Sequence, residues 1–249
     1  MVIIYSAVIF IFGLIIGSFL NVVIYRYGTG YTVRGRSGCL ICGAPLKWFE
    51  LIPLLSFVIQ LGRCRHCRHR ISWQYPLVEL LTALLFLGAY WRLGDVFSLL
   101  LIAHWVILSL LVVITVYDWR HKIIPDHFVY AFIALALLQA VWRGEPSGAV
   151  VISLIFFAGF WLLWFASRGR WLGFGDGKLA LGLGLFLGAP AAWSALILAF
   201  WLGALVGLAL VAWRSHNLKS EVPFAPFLIA GAVLVYLFQF DVLNWVSFL

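Results

Sequence analysis

The sequence predicts an all-α polytopic membrane protein. It should have about eight transmembrane helices and a small cytoplasmic zinc-ribbon-like segment between the first and second. Three observations carry this. Of 249 residues, 65% are hydrophobic and 10% charged, with a mean hydropathy of +1.07; a soluble domain averages roughly 45–50% apolar and about 25% charged residues. Apolar runs recur at lengths near the ~20 residues that cross a ~30 Å hydrocarbon layer at ~1.5 Å per residue. All four cysteines fall in the one polar stretch long enough to fold. The 13 Trp and 23 Gly suit the same class, since Trp gathers at membrane interfaces and Gly lets packed membrane helices approach.

The spans are expected at 2–25, 76–92, 97–117, 127–142, 148–166, 172–189, 191–213 and 224–246. The first run is too long for the core of a removable signal peptide. It also has no charged leading region and no small-residue cleavage site. The sixth span is the short one: its apolar part runs only from Gly177 to Ala189, so it crosses only if the helix starts near Leu172, which puts Asp176 about one turn inside. The net charge of +8 reads as orientation in the membrane and not as nucleic-acid binding. The gaps after spans one, three, five and seven hold all but three of the 17 cations, Arg214 and Lys219 included. The other gaps hold Arg92 and Arg143, and Lys178 lies just inside the sixth span. That bias makes those four gaps cytoplasmic.

Within the polar segment, Cys39-Leu-Ile-Cys42 and Cys64-Arg-His-Cys67 are separated by 21 residues. Two such pairs suit a tetrahedral zinc-ribbon site, and four thiolates leave no open position, so the metal would be structural. Gly43 suits the tight turn after the first pair. Two disulfides are the competing reading, which the reducing cytoplasm disfavours. His66 and His69 are substitute ligands that a four-cysteine site does not need.

Carboxylates at the edge of a membrane need a reason. Asp118 ends the third span, in Tyr117-Asp118-Trp119-Arg120-His121-Lys122-Ile123-Ile124-Pro125-Asp126, and Asp176 opens the sixth, in Gly173-Phe174-Gly175-Asp176-Gly177-Lys178. The topology puts both at the cytoplasmic edge. Two carboxylates held together in a low dielectric share one proton, so one can activate water while the other protonates a leaving amine. Gly173, Gly175 and Gly177 clear space around Asp176 for a neighbouring helix or an unwound substrate strand. Plainer roles compete. Asp118 can pair with Arg120 or Lys122, Asp176 can pair with Lys178 or start a helix, and Asp126 after Pro125 suits a helix N-terminus. His104, mid-span, reads as a hydrogen-bonded packing residue.

In sequence order these motifs resemble the type IV prepilin peptidases, bifunctional leader peptidases and N-methyltransferases. The resemblance covers nearly the whole chain. Gly17-Ser18-Phe19-Leu20-Asn21-Val22-Val23-Ile24-Tyr25-Arg26 looks like the family's opening signature. The cysteine pairs, Trp48-Phe49-Glu50-Leu51-Ile52-Pro53, Gly62-Arg63-Cys64 and Tyr75-Pro76-Leu77-Val78-Glu79 follow, then the Asp118 segment with Pro125 and Asp126, and Gly173-Phe174-Gly175-Asp176 with Lys178. The resemblance implies that Asp118 and Asp176 are the catalytic pair of a GxGD aspartyl protease. It implies cleavage after a leader glycine, usually before phenylalanine, of prepilin or pseudopilin substrates with a basic leader, in type IV pilus, type II secretion or DNA-uptake systems. It also implies methylation of the new N-terminus by S-adenosylmethionine, with Gly62 connected to that reaction.

On this reading the chain divides into a first transmembrane helix at 1–25, a cytoplasmic segment at 26–75 tied to zinc and methylation, and a seven-helix membrane peptidase at 76–249. Many family members carry a second acid two residues after the first aspartate; here that position is Arg120. No Rossmann-type glycine fingerprint for the methyl donor is present. A membrane scaffold or transporter with a zinc-ribbon docking module would explain the spans and cysteines but not the two edge aspartates. A presenilin-related protease would lack the cysteine-bearing segment.

Overall fold

A computed structural model describes residues 2–30, 32–94, 97–144, 146–212, 222–240 and 242. Among these the structure is helical, with two isolated β-bridges, Gly38 to Pro45 and Arg63 to Arg70. It divides into two compact units, Met1–Val113 and Ile114–Leu249.

The first unit contains α1 (Val2–Arg26), a 3-10 turn at Trp48–Leu51, α2 (Leu55–Ile59), α3 (Gln74–Arg92) and the beginning of α4 (Leu99–His121). The second contains the end of α4, then α5 (Asp126–Trp142), α6 (Pro146–Ser167), α7 (Phe174–Leu187), α8 (Ala191–Ala212) and α9 (Ala225–Phe238). Each predicted span corresponds to a helix. Four of them, α1, α4, α6 and α8, are long and apolar enough by themselves to cross a membrane. The expected end of the last span lies, apart from Val242, outside the described residues, as do Arg214 and Lys219.

Two helix ends depart from expectation in ways that matter. α7 starts at Phe174, not Leu172. Gly173 is extended, with φ −75° and ψ 148°, and its N–H donates to the Asp176 carboxylate, so the acid sits in the first turn and fixes the start. α4 runs on to His121, which puts Asp118 inside its last turn and not at its end. The 3-10 turn and α2 were not expected. Glu50 accepts the Lys47 N–H (2.8 Å) and Glu79 accepts the Leu54 N–H (2.8 Å), holding backbone that periodicity could not have revealed.

In the first unit α1 packs on α3 through glycine. A Cβ on Gly13 would lie 2.5 Å from Ala83 Cα, and one on Gly17 would lie 2.7 Å from Glu79 Cα. Such close approach replaces the hydrophobic drive that lipid cannot supply. Asn21 is completely buried. Its Nδ2 donates to the Tyr75 carbonyl (3.2 Å) and its Oδ1 accepts from Gln74 Nε2 (3.2 Å), so this polar residue in an apolar helix is satisfied and pins α1 to the start of α3. Tyr25 stacks on Tyr75 one turn further along.

In the second unit α7 is the central helix, contacting α5, α6, α8 and α9, and most of its residues are buried. Its glycines again set the spacing. A Cβ on Gly182 would strike the Phe132 ring of α5 at 2.5 Å, and one on Gly184 would lie 2.8 Å from Ser153 Cα of α6. Arg143 Nη2 donates to the carbonyls of Leu185 and Phe186, both at 2.9 Å, satisfying the C-terminal end of α7. His104 is buried with Nδ1 2.7 Å from the Leu100 carbonyl, the packing role expected of it.

Gly13→Leu should force α1 from α3 and destabilise the protein by about 1–3 kcal/mol, as overpacking does. Gly159→Ala, where an added Cβ meets nothing within 4 Å, should leave stability unchanged or slightly raised. Thermal unfolding in detergent measures both; equal effects would contradict the packing described.

Candidate active site

The second unit brings its two motif segments together from residues upward. Asp118 lies in the last turn of α4, and after His121 the chain turns at Lys122, which takes the left-handed φ of 54°. It then passes through Ile124, and Pro125 precedes α5. Gly175 packs against that loop: a Cβ there would lie 3.0 Å from Ile124 Cβ, so the second glycine of the GxGD sequence gives room for approach of the first motif. Gly173 is tight for another reason, since its missing Cβ would stand 3.3 Å from the Asp176 Oδ2 that its own N–H binds at 3.0 Å. Gly177 faces Phe160 of α6.

Asp118 and Asp176 are both buried, at 4% and 7% exposure, and are close enough to interact electrostatically. Their remaining partners are backbone N–H groups. Asp176 takes that of Gly173, and Asp118 takes that of Ala225, the first residue of α9. Both acids therefore meet helix N-termini, where the peptide dipoles favour negative charge. Asp118 Oδ2 is buried and has no hydrogen-bond partner. A buried acceptor left unsatisfied in this way calls for a proton or a water.

One of the plainer pairings takes a different form. Lys178 pairs with Asp126 and not with Asp176: Nζ lies 2.6 Å from Asp126 Oδ1 and over the Tyr130 and Phe174 rings at 5.1 and 5.2 Å. That pair ties the first turn of α5 to the first turn of α7, so Asp126 and Lys178 hold the two motifs together. A second ion pair joins Arg65 and Glu50, with 3.9 Å between Nε and Oε1. Ala225 carries no side-chain chemistry that sequence could flag. The only signal was the flanking Pro223 and Pro226, which mark a helix start.

The first unit holds the four cysteines. Two knuckles repeat one hydrogen-bond pattern. Cys39 N–H donates to the Ala44 carbonyl and Gly43 N–H to Cys39; Cys64 N–H donates to His69 and Arg68 N–H to Cys64, all at 2.9–3.0 Å. Gly43 (φ 71°) and Arg68 (φ 59°) take the matching left-handed position. All four thiols are free of disulfides, and their sulfurs lie within 4.8 Å of one another, with Cys39 and Cys67 Sγ at 3.9 Å. A tetrahedron of Zn–S bonds near 2.3 Å has sulfurs about 3.8 Å apart, so the set fits zinc. The N–H groups of Cys42 and then Ile41 pull the Cys39 thiol down to about 7, and those of Cys67 and His66 lower Cys64; against the lowering pull of the His69 N–H, burial and the neighbouring thiols push Cys67 up to about 11, so four sulfurs this close need a cation to become thiolates together.

Gly62 has φ 64°, and a Cβ there would lie 3.1 Å from the Phe57 ring. It stands under Phe57 and not in the metal site.

Residues 11–93 match the bacterial peptidase A24 N-terminal domain, and residues 105–212 match the type IV leader peptidase family. The chain is 36% identical over 246 residues to the prepilin leader peptidase/N-methyltransferase of Bacillus subtilis (strain 168), covering 96% of each. It is 32% identical over 274 residues to that of Aeromonas hydrophila (97% of this chain, 93% of the relative). It is 34% identical over 257 residues to that of Pseudomonas putida (90% and 88%). No solved structure matches significantly.

Purified protein should carry about one zinc per chain. Cys64→Ser should lose it and open residues 38–71 to proteolysis; metal analysis and limited digestion test this. An unchanged digestion pattern without metal would contradict the structural role.

Proposed function

The chain belongs to the type IV leader peptidase family, and on that premise we propose that Asp118 and Asp176 are the carboxyl pair that carries out its proteolysis. The chain removes the leader from prepilin-like substrates and methylates the new N-terminus, as an enzyme of the inner membrane. The assignment to these residues rests on one observation above others. Two aspartates with two whole helices of sequence between them are both buried and interact electrostatically, and one carboxyl oxygen of Asp118 has no partner.

The pair shares one proton. The ionised carboxylate removes a proton from a water positioned at Asp118 Oδ2, and that water attacks the carbonyl carbon of the leader's last residue. The protonated carboxyl donates to the carbonyl oxygen as the tetrahedral intermediate forms. As the intermediate collapses, the C–N bond breaks and a proton passes to the departing amine. The N-terminal ends of α7 and α9 offset the negative charge that the pair retains. The substrate has a basic leader followed by an apolar helix. That helix lies in the bilayer against α7 and α5, with the cleaved bond unwound at the cytoplasmic edge.

All eight long helices cross the membrane in this reading. α7 and α9, at 14 residues each, are ~21 Å long and too short to span alone. α7 is enclosed by its neighbours, so protein and not lipid meets its ends. The charge bias of the loops supports a cytoplasmic location for the catalytic edge and the zinc segment.

Zinc at Cys39, Cys42, Cys64 and Cys67 is structural. S-adenosylmethionine supplies a methyl group activated by its sulfonium sulfur. Gly62 acts on that reaction through Phe57, which any larger residue would displace.

Asp118→Asn and Asp176→Asn should each lower leader cleavage by at least about 10³-fold, the scale of losing one member of a catalytic unit. Insertion and zinc content should stay unchanged. Mass spectrometry of a purified prepilin after incubation reads both the cut and any added methyl. Substantial cleavage by either variant would remove that residue from the mechanism.

A further inference from the structure

Residues 51–61, Leu-Ile-Pro-Leu-Leu-Ser-Phe-Val-Ile-Gln-Leu, carry no charge although they lie within the polar segment. Lys47 stands before them, and Arg63 and Arg65 follow. Their middle forms α2, whose two sides differ. Ser56, Phe57 and the capping Gln60 line a cavity of about 860 Å³ within the first unit. Leu55, Val58 and Ile59 share the other side by their i, i+3 and i+4 spacing, and with Leu61 they are 51–85% exposed. In water these four large apolar side chains would form one unpartnered patch.

Depth along the flanking helices says what covers it. A Cβ on Gly17 would lie 2.7 Å from Glu79 Cα, so the two residues stand at one level. Gly17 is nine residues before Arg26, the last residue of α1, or about 13 Å along the axis. α1 has 25 residues, so it is about 37 Å long and, centred in a ~30 Å hydrocarbon layer, projects about 4 Å from each side. Glu79 then lies roughly 10 Å inside the hydrocarbon edge. Its carboxylate accepts the Leu54 N–H at 2.8 Å, which brings the residue before α2 down to that edge. Phe57 packs on Trp73, with ring centroids 4.9 Å apart. Trp73 immediately precedes α3 and is exposed, the position of an interfacial anchor. Backbone at such depth must be satisfied without water. The N–H groups of Ser56, Val58, Gln60, Leu61 and Gly62 all donate to carbonyls within residues 52–58. Glu79 takes the N–H of Leu54, which has the left-handed φ of 58°.

We propose that residues 51–61 lie in the cytoplasmic leaflet, with Leu55, Val58, Ile59 and Leu61 against acyl chains and Lys47 and Arg63 at anionic headgroups. A short apolar face at the boundary of headgroups and chains, flanked by cations, is the pattern of an interfacial segment. The polar segment is then not in water throughout: its centre is seated in lipid, and the cavity behind α2 is held at the membrane surface. The inference rests on α1 crossing the bilayer with Arg26 at the cytoplasmic end.

Spin labelling of the full chain in liposomes of phosphatidylethanolamine and phosphatidylglycerol tests it. Val58, Phe19 and Arg34 would each be replaced by p-acetylphenylalanine and coupled to a nitroxide, which leaves the cysteines untouched. Phe19 is exposed on α1 near the level of Glu79, and Arg34 is exposed in the polar segment. Zinc content would check that each labelled chain is folded, and Ile59 replaces Val58 if that label costs the metal. Collisions with oxygen, which concentrates in lipid, would be compared with those of a water-soluble nickel chelate. Val58 should match Phe19, with oxygen favoured, and Arg34 should show the reverse. Val58 matching Arg34 while Phe19 stays in lipid would overturn the immersion and leave α1 as a span. A Val58 label shielded from both reagents would put a second copy of the chain over the patch and overturn the lipid assignment. Phe19 favouring the nickel chelate would overturn the spanning of α1 and the immersion with it.

Discussion

Two carboxyl groups placed side by side in apolar surroundings repel one another if both are ionised, and each loses hydration that little else there replaces. The second compact unit is organised around that constraint. Asp176 receives the N–H of Gly173, Asp118 receives that of Ala225, and both lie at helix N-termini. The Lys178–Asp126 pair and the contact of Gly175 with Ile124 fix the two segments so that the acids cannot separate without breaking packed contacts. What these groups leave unsatisfied is a single oxygen on Asp118, the place where a proton or an attacking water belongs. A pair that drifted apart would simply ionise, so the proposed catalytic role depends on this packing.

Glycine performs the same task wherever helices meet. Gly13 and Gly17 let α1 lie on α3, and Gly182 and Gly184 seat α7 between α5 and α6. In lipid the apolar surface of a helix gains little by leaving its surroundings, so close backbone approach and buried polar links such as Asn21 to Tyr75 carry more of the association than they would in water. The chemistry divides along the chain in the same way as the folding units. The aspartates lie wholly in the second unit, while the cysteines and the lined cavity lie wholly in the first.

Much of this was legible in the sequence. Helix positions follow from the length of apolar runs, a signal that lipid makes strong because every spanning segment must be long and apolar. The cysteine spacing anticipated four converging sulfurs, and the aspartates stood out because charge is rare in such a chain. Other features had no local signal. Lys178 meets Asp126 across 52 residues of sequence, and the nearer Asp176 was an equally good partner on paper. The roles of Glu50 and Glu79 depend on backbone at Lys47 and Leu54, where the chain leaves any regular period. Helix ends shifted by two to four residues because capping groups, and not hydropathy, decide them. The cavity is made by segments up to about sixty residues apart, and no periodicity encodes a void.

The most direct measurement of the central claim is the protonation of the two aspartates, read by infrared spectroscopy of carboxyl groups with isotope-labelled aspartate. At neutral pH the account predicts one protonated carboxyl for the pair, whose band shifts or vanishes when either Asp118 or Asp176 becomes asparagine. Two fully ionised aspartates at neutral pH, each indifferent to replacement of the other, would contradict it.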